Sequence, residues 1–129
     1  MNRIILTLIL VFGFWGNTMA EEPKVVGVLF YADWCTNCKV LEPKLTAIKQ
    51  EFADQPIIYE RIDLTDSTTR KVSFADAKKK GLGLIARRYG RATGHMVLVN
   101  AESKEVLGRI FSGQSKAQIR QKFRTALAR

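Results

Sequence analysis

Hydrophobic and polar positions along this chain follow two periods in turn, and the places where the period changes mark the elements. The run Val25 to Tyr31 (VVGVLFY) is almost wholly apolar, β-branched or aromatic, the composition of a buried strand. From Cys38 onward Leu41, Leu45, Ile48 and Phe52 fall four, three and four apart. That spacing is one face of a helix, predicted from about Cys35 to Ala53 and ended by Asp54, Gln55 and Pro56. Ile57 to Asp63 reads as a second strand. A helix joining two strands over this distance is a right-handed crossover, so the strands should run parallel.

Leu64 to Val72 is polar and reads as a loop. Ser73-x-x-Asp76 is the capping signal for a helix carrying Phe74 and Ala77, which Gly81-Leu82-Gly83 interrupts before a second helical piece at Leu84 to Tyr89. Met96 to Asn100 and Val106 to Phe111 are strands around the short polar turn Ala101 to Glu105, hence an antiparallel hairpin. Ser115-x-x-Gln118 signals a capping box for a last helix whose apolar face is Ile119, Phe123, Ala126 and Leu127. The predicted order is β-α-β-α-β-β-α, an α/β domain with a four-stranded mixed sheet, no internal repeat and no second domain.

The first twenty residues are set apart from this pattern. Met1 to Arg3 form a short positive start, Ile4 to Trp15 an apolar stretch and Thr18-Met19-Ala20 a small-residue ending before Glu21-Glu22. We read residues 1–20 as a cleaved export signal and 21–129 as the mature domain. Twelve apolar residues fall short of the roughly 20 that span a bilayer, although the uncharged run to Ala20 leaves an uncleaved anchor open. The chain of 129 residues is basic, with 21 Lys and Arg against 12 Asp and Glu and a net charge of +9. Such a charge steers association with acidic partners. No nucleic-acid motif accompanies it, so Lys78-Lys79-Lys80, Arg87-Arg88-Arg91 and the basic last helix read as solvated faces and no nucleic acid is expected.

Cys35 and Cys38 are the only cysteines. They stand where the first strand gives way to the helix. Unpaired backbone N–H groups and the positive end of the helix dipole favour a thiolate there, moving the ordinary cysteine pKa of about 8.5 into the range of roughly 3.5 to 7.5. Cys35 is the candidate nucleophile. Cys38, one turn further in, is placed to resolve a mixed disulfide. A bridge closing about four residues removes only roughly 2 kcal/mol of unfolded-state entropy, against about 4.7 for a hundred-residue loop. The pair therefore reads first as redox chemistry, with metal ligation and a purely structural bridge as the alternatives.

The segment F-Y-A-D-W-C-T-N-C-K resembles the active-site segment of the thioredoxin superfamily, nearest to periplasmic thioredoxin-like domains of the Dsb type, which carry similar Y-A-D-W-C-x-x-C-K stretches. Trp34 matches the family's tryptophan before the first cysteine, Lys39 the basic residue after the second, and Pro43 the proline that kinks the active-site helix. By order of elements the resemblance covers most of residues 21–129, as the minimal thioredoxin-like fold without the N-terminal strand and helix of thioredoxin. It implies a redox-active Cys35–Cys38 disulfide, protein thiols and disulfides as partners, a membrane-bound electron donor, a monomer, and no organic cofactor. Trp34, Thr36, Asn37 and the loop Thr93-Gly94-His95-Met96 would face the substrate.

Three departures from the family qualify this. Thr36-Asn37 replaces the Gly-Pro of thioredoxin between the cysteines, and family potentials run from about −270 to about −120 mV. Leu29 stands where thioredoxin keeps a buried aspartate to accept the proton of the second cysteine. Glu42, one helical turn after Cys38, is the candidate replacement as proton relay, with an ordinary surface glutamate as the alternative, while Asp33 is expected to cap the helix. The family's cis-proline, opposite the cysteines and just before the hairpin, falls by counting on His95. No proline follows Pro56, so the bond before His95 is expected to be trans. His95, the only histidine, is expected to point towards the cysteines, where it could tune Cys35 or complete a soft-metal site, the alternative being a loop histidine with no special duty.

The reading is an exported thiol-disulfide oxidoreductase, with the reductive direction expected. The alternatives are a periplasmic metal-binding or metallochaperone protein using Cys35, Cys38 and His95, and a catalytically idle interaction module on the same fold.

Overall fold

The computed structural model describes residues 22–129, and the export-signal reading of residues 1–20 lies outside them. Four strands, β1 (Val25–Tyr31), β2 (Ile57–Asp63), β3 (His95–Asn100) and β4 (Val106–Phe111), form one sheet in the order β2-β1-β3-β4. β2 runs parallel to β1, as the intervening helix α1 (Thr36–Glu51) requires, and β3 and β4 run antiparallel to their neighbours. Being central, β1 is buried along nearly its whole length, which is why it reads as a continuous apolar run.

The faces of the sheet divide by residue parity. Val25 and Leu29 of β1 and Met96 and Leu98 of β3 pack with Leu41, Leu45 and Ile48 of α1 and with Ile119 and Phe123 of α4 (Lys116–Leu127). Val26, Val28, Phe30, Val97 and Val99 face the other way, against Ala77, Leu82, Ile85 and Ala86 of α2 (Ser67–Lys79) and α3 (Gly83–Tyr89). Phe30 and Phe123 are fully buried. Truncating either to alanine would cost about 3 to 5 kcal/mol.

The predicted spans of β1, β2 and β4 and the capping box of α4 are as observed, with Ser115 Oγ accepting from Gln118 N–H and Gln118 Oε1 from Ser115 N–H. The stretch read as a loop to Val72 is not. α2 begins at Ser67, capped by Asp66, whose carboxylate accepts the Thr69 N–H at 2.8 Å. Its first turn (Ser67 to Lys71) carries no apolar residue, so hydrophobic periodicity cannot show it. Ser73 instead accepts the Asp63 N–H, tying α2 to the end of β2. The break between α2 and α3 follows Schellman geometry: Gly81 takes φ +75°, Gly81 N–H donates to Lys78 O and Leu82 N–H to Ala77 O.

Candidate active site at the Cys35–Cys38 pair

β1 delivers the chain to Ala32, and α1 starts with Cys35 itself as its N-cap. Asp33, expected in that role, does not cap; its N–H donates to Thr65 Oγ1 at 3.1 Å. The Cys35 sulfur accepts the Cys38 N–H at 3.1 Å, one of the four amides that a helix start leaves unpaired. A sulfur in that position is stabilised as an anion by the amide and by the helix dipole. Cys35 and Cys38 are joined as a disulfide with Cα atoms 5.3 Å apart, and both are buried. Cys38 Sγ lies 3.8 Å from Phe30 O, at the inner side of the site.

Trp34, the chain neighbour of Cys35, is 62% exposed, and Thr36 and Asn37 are exposed with it. The indole is fixed at its edge, Nε1–H donating to Thr65 O at 2.9 Å. Asp63 holds Thr65 in turn, its carboxylate accepting from Thr65 N–H at 2.9 Å and from the Thr65 hydroxyl. Asp63 and Thr65 are site residues that the sequence reading missed. Their signal was the D-L-T-D stretch after β2, an Asx-turn composition.

The opposing loop requires two corrections. The residue that stands against Cys35 is Gly94 and not His95, because β3 begins one residue earlier than expected: His95 pairs with Phe30 on one side and Phe111 on the other. Gly94 N–H donates to Phe30 O at 2.8 Å, and Gly94 takes φ +81°. A β-carbon there would lie 3.2 Å from Cys35 Sγ and collide with Asn37 Cβ, so the loop approaches the sulfur by having no side chain. No peptide bond among the described residues is cis.

His95 also does not point at the cysteines. Its ring lies on the sheet face of α2 and α3, stacked on Phe30 with centroids 4.8 Å apart, while α1 packs on the opposite face. Nε2 is 3.2 Å from Tyr89 O and 3.1 Å from Ala92 O, both acceptors, so the ring hydrogen sits on Nε2. The imidazole thereby ties the end of α3 to the loop that carries Gly94. Burial holds the His95 pKa below the usual histidine range; the Ala92 and Tyr89 carbonyls oppose that shift and the Arg109 charge adds to it. Cys35, Cys38 and His95 are not brought together as a ligand set, and no group of three or more His, Cys, Asp or Glu among the described residues could hold a metal ion. Met96, expected to face the substrate, is fully buried under α1; Thr93 is half-buried at the loop.

Leu29 is buried in the apolar layer beneath α1. Glu42, one turn beyond Cys38, pairs with Arg61 at 2.7 Å, both partly exposed, and the Arg61 guanidinium lies 4.1 Å from the centroid of the Tyr31 ring.

Comparison with known proteins gives the same frame. Over 37 residues the chain is 43% identical to Thioredoxin-T of Drosophila melanogaster, covering 29% of this chain and 24% of that protein. Over 63 residues it is 35% identical to the thioredoxin of Buchnera aphidicola subsp. Baizongia pistaciae, covering 48% and 58%. In both cases the chain spans less than two thirds of the relative's length. The crystal structure of a thiol:disulfide interchange protein of the thioredoxin family from Chlorobium tepidum superposes with a TM-score of 0.53 at 21% identity, over 81% of this chain and 80% of that one, and shares the fold. The family model described as thioredoxin matches residues 9–75, more than half of the sequence, and with the Cys-x-x-Cys pair at its helix start the chain belongs to the thioredoxin family.

Proposed function

We propose that this protein is an exported oxidoreductase that reduces disulfides in other proteins. The observation that carries the reading is the Cys35 sulfur at the first turn of α1, accepting the Cys38 amide. In the dithiol state the Cys35 thiolate attacks a partner disulfide; a Cys35–partner bond forms and the first partner sulfur leaves as thiolate, which takes up a proton. Cys38 then loses its proton and attacks the Cys35 sulfur, releasing the second partner thiol and closing the Cys35–Cys38 bridge. Two electrons have moved, and no organic cofactor is involved. Glu42 receives the Cys38 proton, with Arg61 as its counter-ion. A membrane-bound dithiol donor in the periplasm reopens the bridge, and the protein acts as a monomer. Export rests on the charged, apolar and small-residue order of residues 1–20.

The test is an equilibrium redox titration of residues 21–129, read by the mass added on thiol trapping. We expect one two-electron transition below about −200 mV, on the thioredoxin side of the family range. A value near −120 mV would reverse the direction to disulfide donation. Thiols that never close into a bridge would end the exchange reading.

A further inference from the structure

The positive charge of this protein is not spread over its surface. Residues 67–91, which form α2, α3 and their junctions, hold eight Lys and Arg against the single carboxylate of Asp76, while the other described residues hold twelve against ten. Cations near the ends of α2 and α3 complement the helix dipoles, which accounts for one or two at each C-terminus. It does not account for the apolar surface between them. A groove of about 520 Å³ runs between α2 and α3, lined by Phe74, Ala75, Lys78, Gly83, Leu84 and Arg87. Leu84 is 74% exposed, and neither Lys78 nor Arg87 pairs with a carboxylate among the described residues. Cations without a carboxylate partner beside an exposed leucine form a surface that an acidic, apolar segment complements.

The two helices that form the groove are connected along the chain to the redox site. α3 runs through Gly90 into the loop whose Gly94 stands against Cys35, and α2 starts just after Thr65, which holds Trp34.

We propose that the α2–α3 groove is a docking surface for an acidic, apolar segment of the protein partner, its leucine-like side chains on Phe74 and Leu84 and its carboxylates on Lys78 and Arg87. This rests on the exchange reading for the partner's class and not for the binding itself. Association of this kind is fast and falls steeply with salt, because exposed charges are screened beyond about 10 Å at 0.1 M ionic strength.

The experiment uses residues 21–129 with Cys35→Ser and Cys38→Ser, so that docking is read without chemistry. Binding of a fluorescein-labelled amphipathic peptide of Glu and Leu is followed by anisotropy at low and high salt. Its basic Lys-for-Glu analogue and vesicles of phosphatidylglycerol and phosphatidylcholine serve as comparators. We expect the acidic peptide to bind, the basic analogue not to bind, and the affinity to fall about tenfold in Lys78→Glu/Arg87→Glu. Leu84→Ser, at an exposed position, should weaken binding without altering its salt dependence. Circular dichroism checks that both variants fold. Equal binding of the two peptides, unchanged affinity in the charge-reversed protein, or binding to the vesicles alone would overturn the proposal. Because the cysteines are absent, none of these outcomes depends on the redox titration.

Discussion

Two pieces of backbone hold the Cys35 sulfur, and they do so by opposite means. On one side α1 offers a donor: the Cys38 amide points at Sγ from 3.1 Å, in a geometry any helix start provides. On the other side the 90–94 loop offers an absence, Gly94 lying against the same sulfur because it has no β-carbon. The first support is local and follows from three residues of spacing. The second is assembled from afar, since the loop is held by Gly94 N–H on Phe30 O and by His95 Nε2 on Tyr89 O and Ala92 O. The helix side thus supplies a donor to the sulfur, and the loop side sets the space beside it.

Breaking the loop side gives the largest effect. Gly94→Ala forces a side chain into a left-handed backbone conformation and against Asn37 and Cys35. Strain and overpacking each contribute on the order of 1 to 3 kcal/mol, so we expect about 3 kcal/mol of destabilisation in urea unfolding, with exchange activity lost in the molecules that still fold. A loss below about 1 kcal/mol would mean that the loop moves freely and does not hold the sulfur.

His95→Phe acts on the same loop from behind. Phenylalanine keeps the stack on Phe30 but donates nothing to the Tyr89 and Ala92 carbonyls, and losing the donor to these part-buried acceptors costs about 1 kcal/mol. The sharper readout is pH. Burial lowers the His95 pKa in the folded state, so the unfolded chain binds the proton first as the solution is acidified. Stability that is full above about pH 6.5 should fall as pH drops from there towards the depressed native value. No second histidine titrates in that window. The pH 5 to 7 slope of unfolding free energy should be present in the parent and absent in His95→Phe; equal slopes in the two proteins would show that His95 is not buried as neutral imidazole.

The same contrast explains what could be read before the structure. β1, α1, β2 and the Ser115 cap were legible because each is written locally, as an apolar run, a 3.6-residue stripe or a capping pair. The position of Gly94 was not: counting from Met96 missed the start of β3, which is set by pairing with Phe30 and Phe111 far along the chain. His95 was misdirected for the same reason, since a register shift of one residue moves a side chain to the other face of a sheet. The start of α2 failed differently, because Asp66 caps a first turn with nothing apolar in it. Trp34 was identified, but its hold on Thr65 O joins residues 31 positions apart and left no trace in either segment.

The helix side is tested by Glu42→Gln. The carboxyl lies one turn past Cys38 and is paired with Arg61, while the buried site beneath α1 offers Leu29 and no acid. If Glu42 takes the Cys38 proton, the glutamine variant should form the mixed disulfide at Cys35 at the parental rate and resolve it more slowly. A fully positioned acid-base group is worth on the order of 10² to 10⁴, and for a partly exposed, ion-paired carboxylate we expect about tenfold. Rapid-quench trapping of the mixed disulfide separates the two steps. The loss should shrink as pH rises and Cys38 ionises without help, whereas a merely structural Glu42–Arg61 pair would lower both steps together with no pH dependence of the ratio. Stability should change by no more than about 1 kcal/mol, as for any exposed ion pair. A glutamine variant that resolves at the parental rate across pH would pass the proton directly to solvent. The chemistry of Cys35 and Cys38 would then rest on the helix start alone.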